Sequence, residues 1–384
     1  MTGFSRFGVF LGRFFGIKFY LDYSWFLIAA IMTYMLATDI FPSTAFLPGH
    51  SQTLYFIMGV AATMIFFLSL LLHELGHSLV SQRCGIPVPR IRLLFIGGIA
   101  EISREPDDAR SEFKIAIGGP AASIVLALIY AAGAYAAFVM DWDAVSVVFN
   151  WLVTMNIVLV IFNAIPGYPL DGGRVLRAII WSRTRNLRKA TFITTRIGIG
   201  FSWVLIGLGI VLLYRGWWNA FVFFIIGIFL KSAAESGYTS TLYHEVLAGV
   251  RVGDIMTREV VCIPAHTPLS LVVDDYFFTR NHVAYPVVDD DGTFRGMLRL
   301  EYVKEVPREK WPWTTAGDLV ASQVDGASVD ARQAAEQAMR RLLASGQGRL
   351  AVLEDGKVTG IITRHDVLTF ITIHTELQPS EIPK

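Results

Sequence analysis

Over roughly the first 235 positions, apolar residues run in blocks of membrane length separated by short polar stretches; beyond about residue 250 the pattern becomes short apolar strands set among Asp and Glu. A block of about twenty apolar residues suits a helix crossing about 30 Å of hydrocarbon. The pattern predicts six such helices, over about 19–38, 54–80, 113–139, 145–166, 190–213 and 217–234. Arg6, Arg13 and Lys18 precede the first. Arg83, Arg90, Arg92, Arg104, Arg110 and Lys114 lie between the second and third, and Arg183, Arg185, Arg188 and Lys189 follow the fourth. The opposite loops, 39–53 and 140–144, carry neither Lys nor Arg, and 214–216 carries only Arg215. That bias predicts cytoplasmic N- and C-termini. No small-residue cleavage site follows the first apolar stretch, so it is expected to stay as a span.

Composition agrees with a polytopic membrane protein that carries a soluble portion: of 384 residues, 53% are hydrophobic and 17% charged. The net charge is +1 and the basic residues flank apolar blocks, so no nucleic-acid partner is expected. Cys84 and Cys262, the two cysteines, fall on the reducing side of this topology and are expected as free thiols.

One chemical motif stands inside the second apolar block: His73-Glu74-Leu75-Gly76-His77. Two histidines at i and i+4 share a helix face and can reach one metal ion, while the Glu beside the first can move the proton of an attacking water. The bland alternative is a hydrogen-bonded polar cluster between helices. Ionisable groups at membrane depth cost a few kcal/mol, however, and usually mark function. A catalytic zinc takes three protein ligands. His50 falls in an outer loop, and His244, His266, His282, His365 and His374 fall in the tail, so the third ligand should be a carboxylate. The best candidate is Asp171, in the helix-breaking stretch Asn163-Ala-Ile-Pro-Gly-Tyr-Pro-Leu-Asp-Gly-Gly-Arg174. The competing reading is a solvated aspartate in an interfacial loop.

HELGH in the second block and N-x-x-P-x-x-P-L-D-G at the fourth together resemble the site-2 protease family of intramembrane zinc metalloproteases, over roughly residues 7–235. Gly16-Ile17-Lys18, Phe95-Ile96-Gly97-Gly98 and Gly118-Gly119-Pro120 match as well. The resemblance implies zinc, one ion per chain, on His73, His77 and Asp171, with Glu74 as general base. It implies a membrane protein as substrate: a tethered transcription regulator, an anti-sigma factor, a sigma-factor precursor or a signal peptide. Where the family often has Asn three residues after its Gly-Pro pair, this chain has Ser123, which leaves that position's role open. Asn163 is assigned to the substrate backbone or the oxyanion, or else to capping the break in the fourth helix. Residues 91–102 read as two short strands around Gly97-Gly98, either accepting a substrate strand at an exposed edge or resting as an amphipathic hairpin at the interface.

The tail repeats itself. Residues 284–303 align with 350–368, Gly296 and Gly360 falling in register. Each copy reads as strand, helix, strand, turn, strand, helix, and the pair resembles a tandem of cystathionine-β-synthase (CBS) domains. Such pairs commonly bind adenine nucleotides such as ATP, and Gly360-Ile361-Ile362-Thr363-Arg364-His365-Asp366 matches their motif, with Thr363 and Asp366 as contacts. Arg299 and Tyr302 replace those residues in the first copy, so one nucleotide site is expected. Alternatively Thr363 caps the last helix.

The expected fold is therefore an α-helical polytopic membrane domain of about six transmembrane helices plus a cytoplasmic α/β tandem CBS domain. The expected boundaries are 1–237 for the membrane domain, 238–250 for a linker, 251–309 and 310–373 for the repeats, and 374–384 for a C-terminal tail. The expected function is intramembrane proteolysis modulated by the CBS pair, through which the chain could also form a homodimer. Alternatives from other classes are a CBS-gated transporter or channel and a non-catalytic membrane scaffold.

Overall fold

The computed structural model describes residues 8–43, 46–94, 97–101, 105–217, 220–280, 282–321, 327–345 and 348–377. The chain divides into two compact units, Phe4–Thr241 and Leu242–Lys384.

The first unit opens with strands β1 (Gly8–Phe14) and β2 (Ile17–Asp22), followed by helix α1 (Tyr23–Met35), which continues as a π-helix to Ile40. Then come α2 (Gln52–Arg83), β3 (Arg90–Leu94), β4 (Gly97–Glu101), α3 (Ala109–Val139), α4 (Asp143–Asn163), α5 (Asp171–Thr184), α6 (Leu187–Tyr214) and α7 (Phe221–Leu247). Among the described residues six helices, α1 with its π-helical continuation, α2, α3, α4, α6 and α7, are long and apolar enough to cross a membrane. Several start at a polar residue whose side chain accepts a backbone N–H of the first turn: Asp22 from Ser24, Ser51 from Leu54, Asp108 from Ser111 and Asn186 from Lys189. Such caps are worth about 1 kcal/mol each and fix where a span begins.

Two expectations need correction. The first span does not start at 19. Ile17, Phe19 and Leu21 alternate with Lys18, Tyr20 and Asp22, so this stretch forms β2, and its buried side packs on α2. The segment 238–250, expected as a linker, is helical to Leu247 because α7 runs on past its apolar part.

β1 to β4 form one sheet in that order: β1 antiparallel to β2, β2 parallel to β3, and β3 antiparallel to β4. Its buried face, from Ile17, Phe19 and Ile91, lies on Leu71, Leu72, Leu75 and Leu79 of α2, the turns that carry the histidine motif. The sheet thus sits over the motif.

The second unit contains α8 (Val252–Ile255), β5 (Ile263–Pro264), α9 (Leu269–Leu271, continued as a π-helix to Phe278), β6 (Ala284–Val288), β7 (Phe294–Arg299), α10 (Leu300–Glu305) and α11 (Ala316–Ala321). It then repeats with β8 (Ser328–Asp330), α12 (Ala335–Ser345), β9 (Arg349–Glu354), β10 (Lys357–Thr363) and α13 (Arg364–Leu377). Each copy has a three-stranded sheet with one parallel and one antiparallel pairing. Packing crosses the boundary drawn at 309/310: Val252 and Met256 enter the core of the second copy, while Ala316 and Val320 enter that of the first.

Candidate metal centre

His73 and His77 lie on one face of α2, and both are buried. His77 stands six residues before the helix ends at Arg83, about 9 Å along the axis. Asp171 is the first residue of α5, where the Pro- and Gly-rich stretch has broken the chain out of α4. That stretch is seated on α6, Tyr168 N–H donating to Thr194 O at 3.1 Å.

The three residues meet. His73 Nε2 is 3.2 Å from Asp171 Oδ2, His77 Nε2 is 3.1 Å from Asp171 Oδ1, and the two Nε2 atoms are 3.3 Å apart. Among the described residues they form the one group of His, Cys, Asp or Glu side chains able to hold a metal ion. The far side of each ring is fixed by α3: His77 Nδ1–H donates to Ile115 O at 2.7 Å, and His73 Nδ1 pairs with Ser123 Oγ at 2.9 Å. Ile115 O can only accept, so a neutral His77 carries its proton on Nδ1, which Gly119 N–H also approaches at 3.3 Å, and turns the lone pair of Nε2 to the carboxylate. A ring nitrogen and a carboxylate oxygen 3.1 Å apart in a buried site are held by a shared proton or by a cation between them, and two imidazoles converging on one carboxylate suit a metal ion. A tetrahedral ion with bonds of about 2.0–2.1 Å has ligand edges of about 3.3–3.4 Å, and a two-imidazole, one-carboxylate set is a zinc set. The residues fit the ion.

Four glycines make the space. A Cβ at Gly119 would fall on His77 Nε2 and lie 2.6 Å from His73 Nε2. Gly76 and Gly118 face each other across α2 and α3 so closely that a Cβ on Gly118 would come within 2.7 Å of Gly76 O. On the sheet side, a Cβ at Gly98 of β4 would run into Glu74 Cγ and lie 3.2 Å from its Oε1. The carboxyl group of Glu74 therefore lies directly under β4. Among the described strands β4 pairs only with β3, and its other edge has no partner among them.

The remaining residues singled out in the sequence make contacts of their own. Asn163 ends α4 with Nδ2 donating to Leu159 O at 3.1 Å, within its own helix. Cys84 follows α2 and stands outside the metal cluster. Thr363 and Asp366 bind each other: Asp366 Oδ2 accepts from Thr363 N–H at 2.8 Å and from Thr363 Oγ1 at 2.7 Å, and Asp366 N–H donates to Thr363 Oγ1 at 3.2 Å. This is a reciprocal cap of α13. In the first copy Arg299 covers the Tyr302 ring at 5.6 Å. Sequence reasoning left Ser123 open and did not find Ile115 O. Gly98 and Gly119 belonged to quoted motifs, but their closeness to Glu74 and to the histidine rings had no signal in the sequence.

Comparison with known proteins adds to this geometry. The family model described as peptidase family M50 matches residues 61–140 and 135–207, a range that holds His73, Glu74, His77, Asn163 and Asp171. The CBS domain model matches 252–309 and 317–373. The putative zinc metalloprotease Rip3 of Mycobacterium tuberculosis is 31% identical over 376 residues, covering 96% of this chain and 94% of that protein. The putative zinc metalloprotease sll0528 of Synechocystis sp. is 31% identical over 366 residues, covering 93% and 94%. Among solved structures, the site-2 protease from Methanocaldococcus jannaschii covers 60% of this chain and 94% of its own, at 24% identity and a TM-score of 0.40.

Proposed function

We propose, for a chain that belongs to peptidase family M50 and is a multi-pass membrane zinc metalloprotease with two CBS domains, that it is an intramembrane endopeptidase cutting a single-pass or membrane-tethered protein near the cytoplasmic leaflet. The observation that carries this reading is the convergence of His73, His77 and Asp171 within 3.1–3.3 Å, beside Glu74, close to one end of a membrane-length helix. His73, His77 and Asp171 would hold zinc, which when bound polarises a peptide carbonyl and acidifies water. Glu74 takes the proton of the attacking water and returns it to the leaving amine. Burial of the ligands keeps bulk water out, so each charge interaction is stronger than it would be in solution.

A helical substrate hides its carbonyls in i to i+4 hydrogen bonds and must be held extended. The edge of β4 away from β3 supplies the backbone donors and acceptors for that, and Gly98 sets this edge directly above Glu74. Asn163 contacts the substrate backbone or the oxyanion. The basic ends of the spans support cytoplasmic termini, and the family supports a cell membrane. In the second CBS copy, Thr363 and Asp366 take up an adenine nucleotide by exchanging their mutual cap for phosphate and ribose. The filled position at Arg299 and Tyr302 supports a single site. Pairing of CBS tandems would join two chains.

The test compares cells expressing the wild-type chain or Glu74→Gln and quantifies new peptide termini within single-pass segments. Termini that appear only with the wild type are expected. Identical sets of termini would sink the reading.

A further inference from the structure

Glu112, in the first turn of α3, has no exposed surface, and its Oε1 accepts from Arg177 Nη2 at 2.7 Å and from Arg174 Nε at 3.2 Å. Both arginines are on α5, three and six residues after Asp171. Arg177 is 3% exposed, and its guanidinium also lies over the Tyr168 ring at 5.3 Å. Buried ion pairs are poor stabilisers, since a well-packed apolar pair joins two helices at lower desolvation cost. What two charged hydrogen bonds converging on one carboxylate oxygen add is orientation, because Arg174 and Arg177 reach the same Oε1 together in only a narrow range of register and rotation of α5 against α3. The same α3 holds His77 through Ile115 O and His73 through Ser123 Oγ.

We propose that Glu112, Arg174 and Arg177 form a positioning clamp that holds Asp171 at the histidine pair, so that α3 is the common frame for all three zinc ligands. This rests on the reading of His73, His77 and Asp171 as ligands. The clamp acts on Asp171 alone: the histidines keep their own contacts to α3 when it is lost.

The experiment measures zinc affinity by competition with a chromophoric chelator, on the full chain purified in detergent. Glu112→Gln is compared with wild type, with Asp171→Asn and with the double variant. Glu112→Gln is expected to weaken zinc binding about 10- to 100-fold, as for other residues that orient a ligand. In the Asp171→Asn background it should add less than about twofold, because the group it positions is gone. Thr63→Val, which breaks the buried Thr33–Thr63 hydrogen bond ten residues before His73, reads simple destabilisation and should leave affinity within about twofold. If Glu112→Gln does not fold, Arg177→Lys, which keeps the charge but is too short to place it where Nη2 meets Glu112, is used in the same cycle with the same expectations. Wild-type affinity in the clamp variants, an equal loss with and without Asp171, or an equal loss in Thr63→Val overturns the clamp. A wild-type chain that binds no zinc overturns the ligand reading beneath it.

Discussion

Replacing Gly119 by alanine adds one methyl group directly against the two histidine rings. That carbon would lie 2.6 Å from His73 Nε2 and 2.7 Å from His77 Cδ2, and would overlap His77 Nε2. An unstrained contact is about 3.5 Å, so the rings must retreat by about 1 Å. Metal–ligand distances tolerate about 0.2 Å. Backing α3 away from α2 offers no relief, because the Gly76–Gly118 contact and the bonds from Ile115 O and Ser123 hold the two helices together. Loss of one imidazole from a three-ligand site should weaken zinc by at least about 100-fold, which is about 2.7 kcal/mol. Alanine is the better helix former by about 1 kcal/mol, which partly offsets the strain and keeps the protein folded. Gly207→Ala in α6 is the control, since a Cβ there meets nothing within 4 Å. The assay is zinc content with thermal stability on detergent-purified protein. Gly119→Ala is expected folded and zinc-poor, and Gly207→Ala folded and zinc-replete. Full zinc in Gly119→Ala would refute the packing argument.

Other residues give separate outcomes. Ser123→Ala removes the partner of His73 Nδ1 and should lower zinc affinity about 10- to 100-fold, while Ser123→Asn, which restores a hydrogen-bonding side chain, should retain most of it; chelator competition reads both. Gly98→Ala pushes β4 off Glu74 and should lower the cleavage rate by at least about tenfold with zinc content unchanged; loss of zinc instead would mean that β4 supports the ligands themselves. Asp366→Ala breaks the cap of α13 and should cost about 1 kcal/mol of CBS stability as well as ATP or AMP binding; calorimetric titration showing unaltered nucleotide affinity would remove Asp366 from that site.

The chemistry was legible in the sequence where it is local. His73 and His77 are one helical turn apart, and Asp171 stood out because no further histidine lay in the membrane-length blocks. The CBS pair was legible because it repeats, and Gly296 and Gly360 mark the register. Strand β2 was not, because the alternation of Ile17, Phe19 and Leu21 ran straight into the apolar block of α1 and looked like its beginning. α5 was missed because Arg174 and Arg177 look like a polar loop until their acceptor is known, and Glu112 lies 65 residues before Arg177. Ser123 stands 50 residues from the ring it orients. Pattern shows which elements form, whereas partners of this kind are created only when the helices pack.

The most direct measurement is zinc content by elemental analysis of the wild-type chain, Asp171→Ala and Glu74→Gln, each purified in detergent without chelators and shown to be folded. Three ligands holding one ion, with Glu74 acting on water and not on the metal, predict about one zinc per chain in wild type and in Glu74→Gln, and loss in Asp171→Ala. Zinc retained in Asp171→Ala, or absent from all three, would contradict the site.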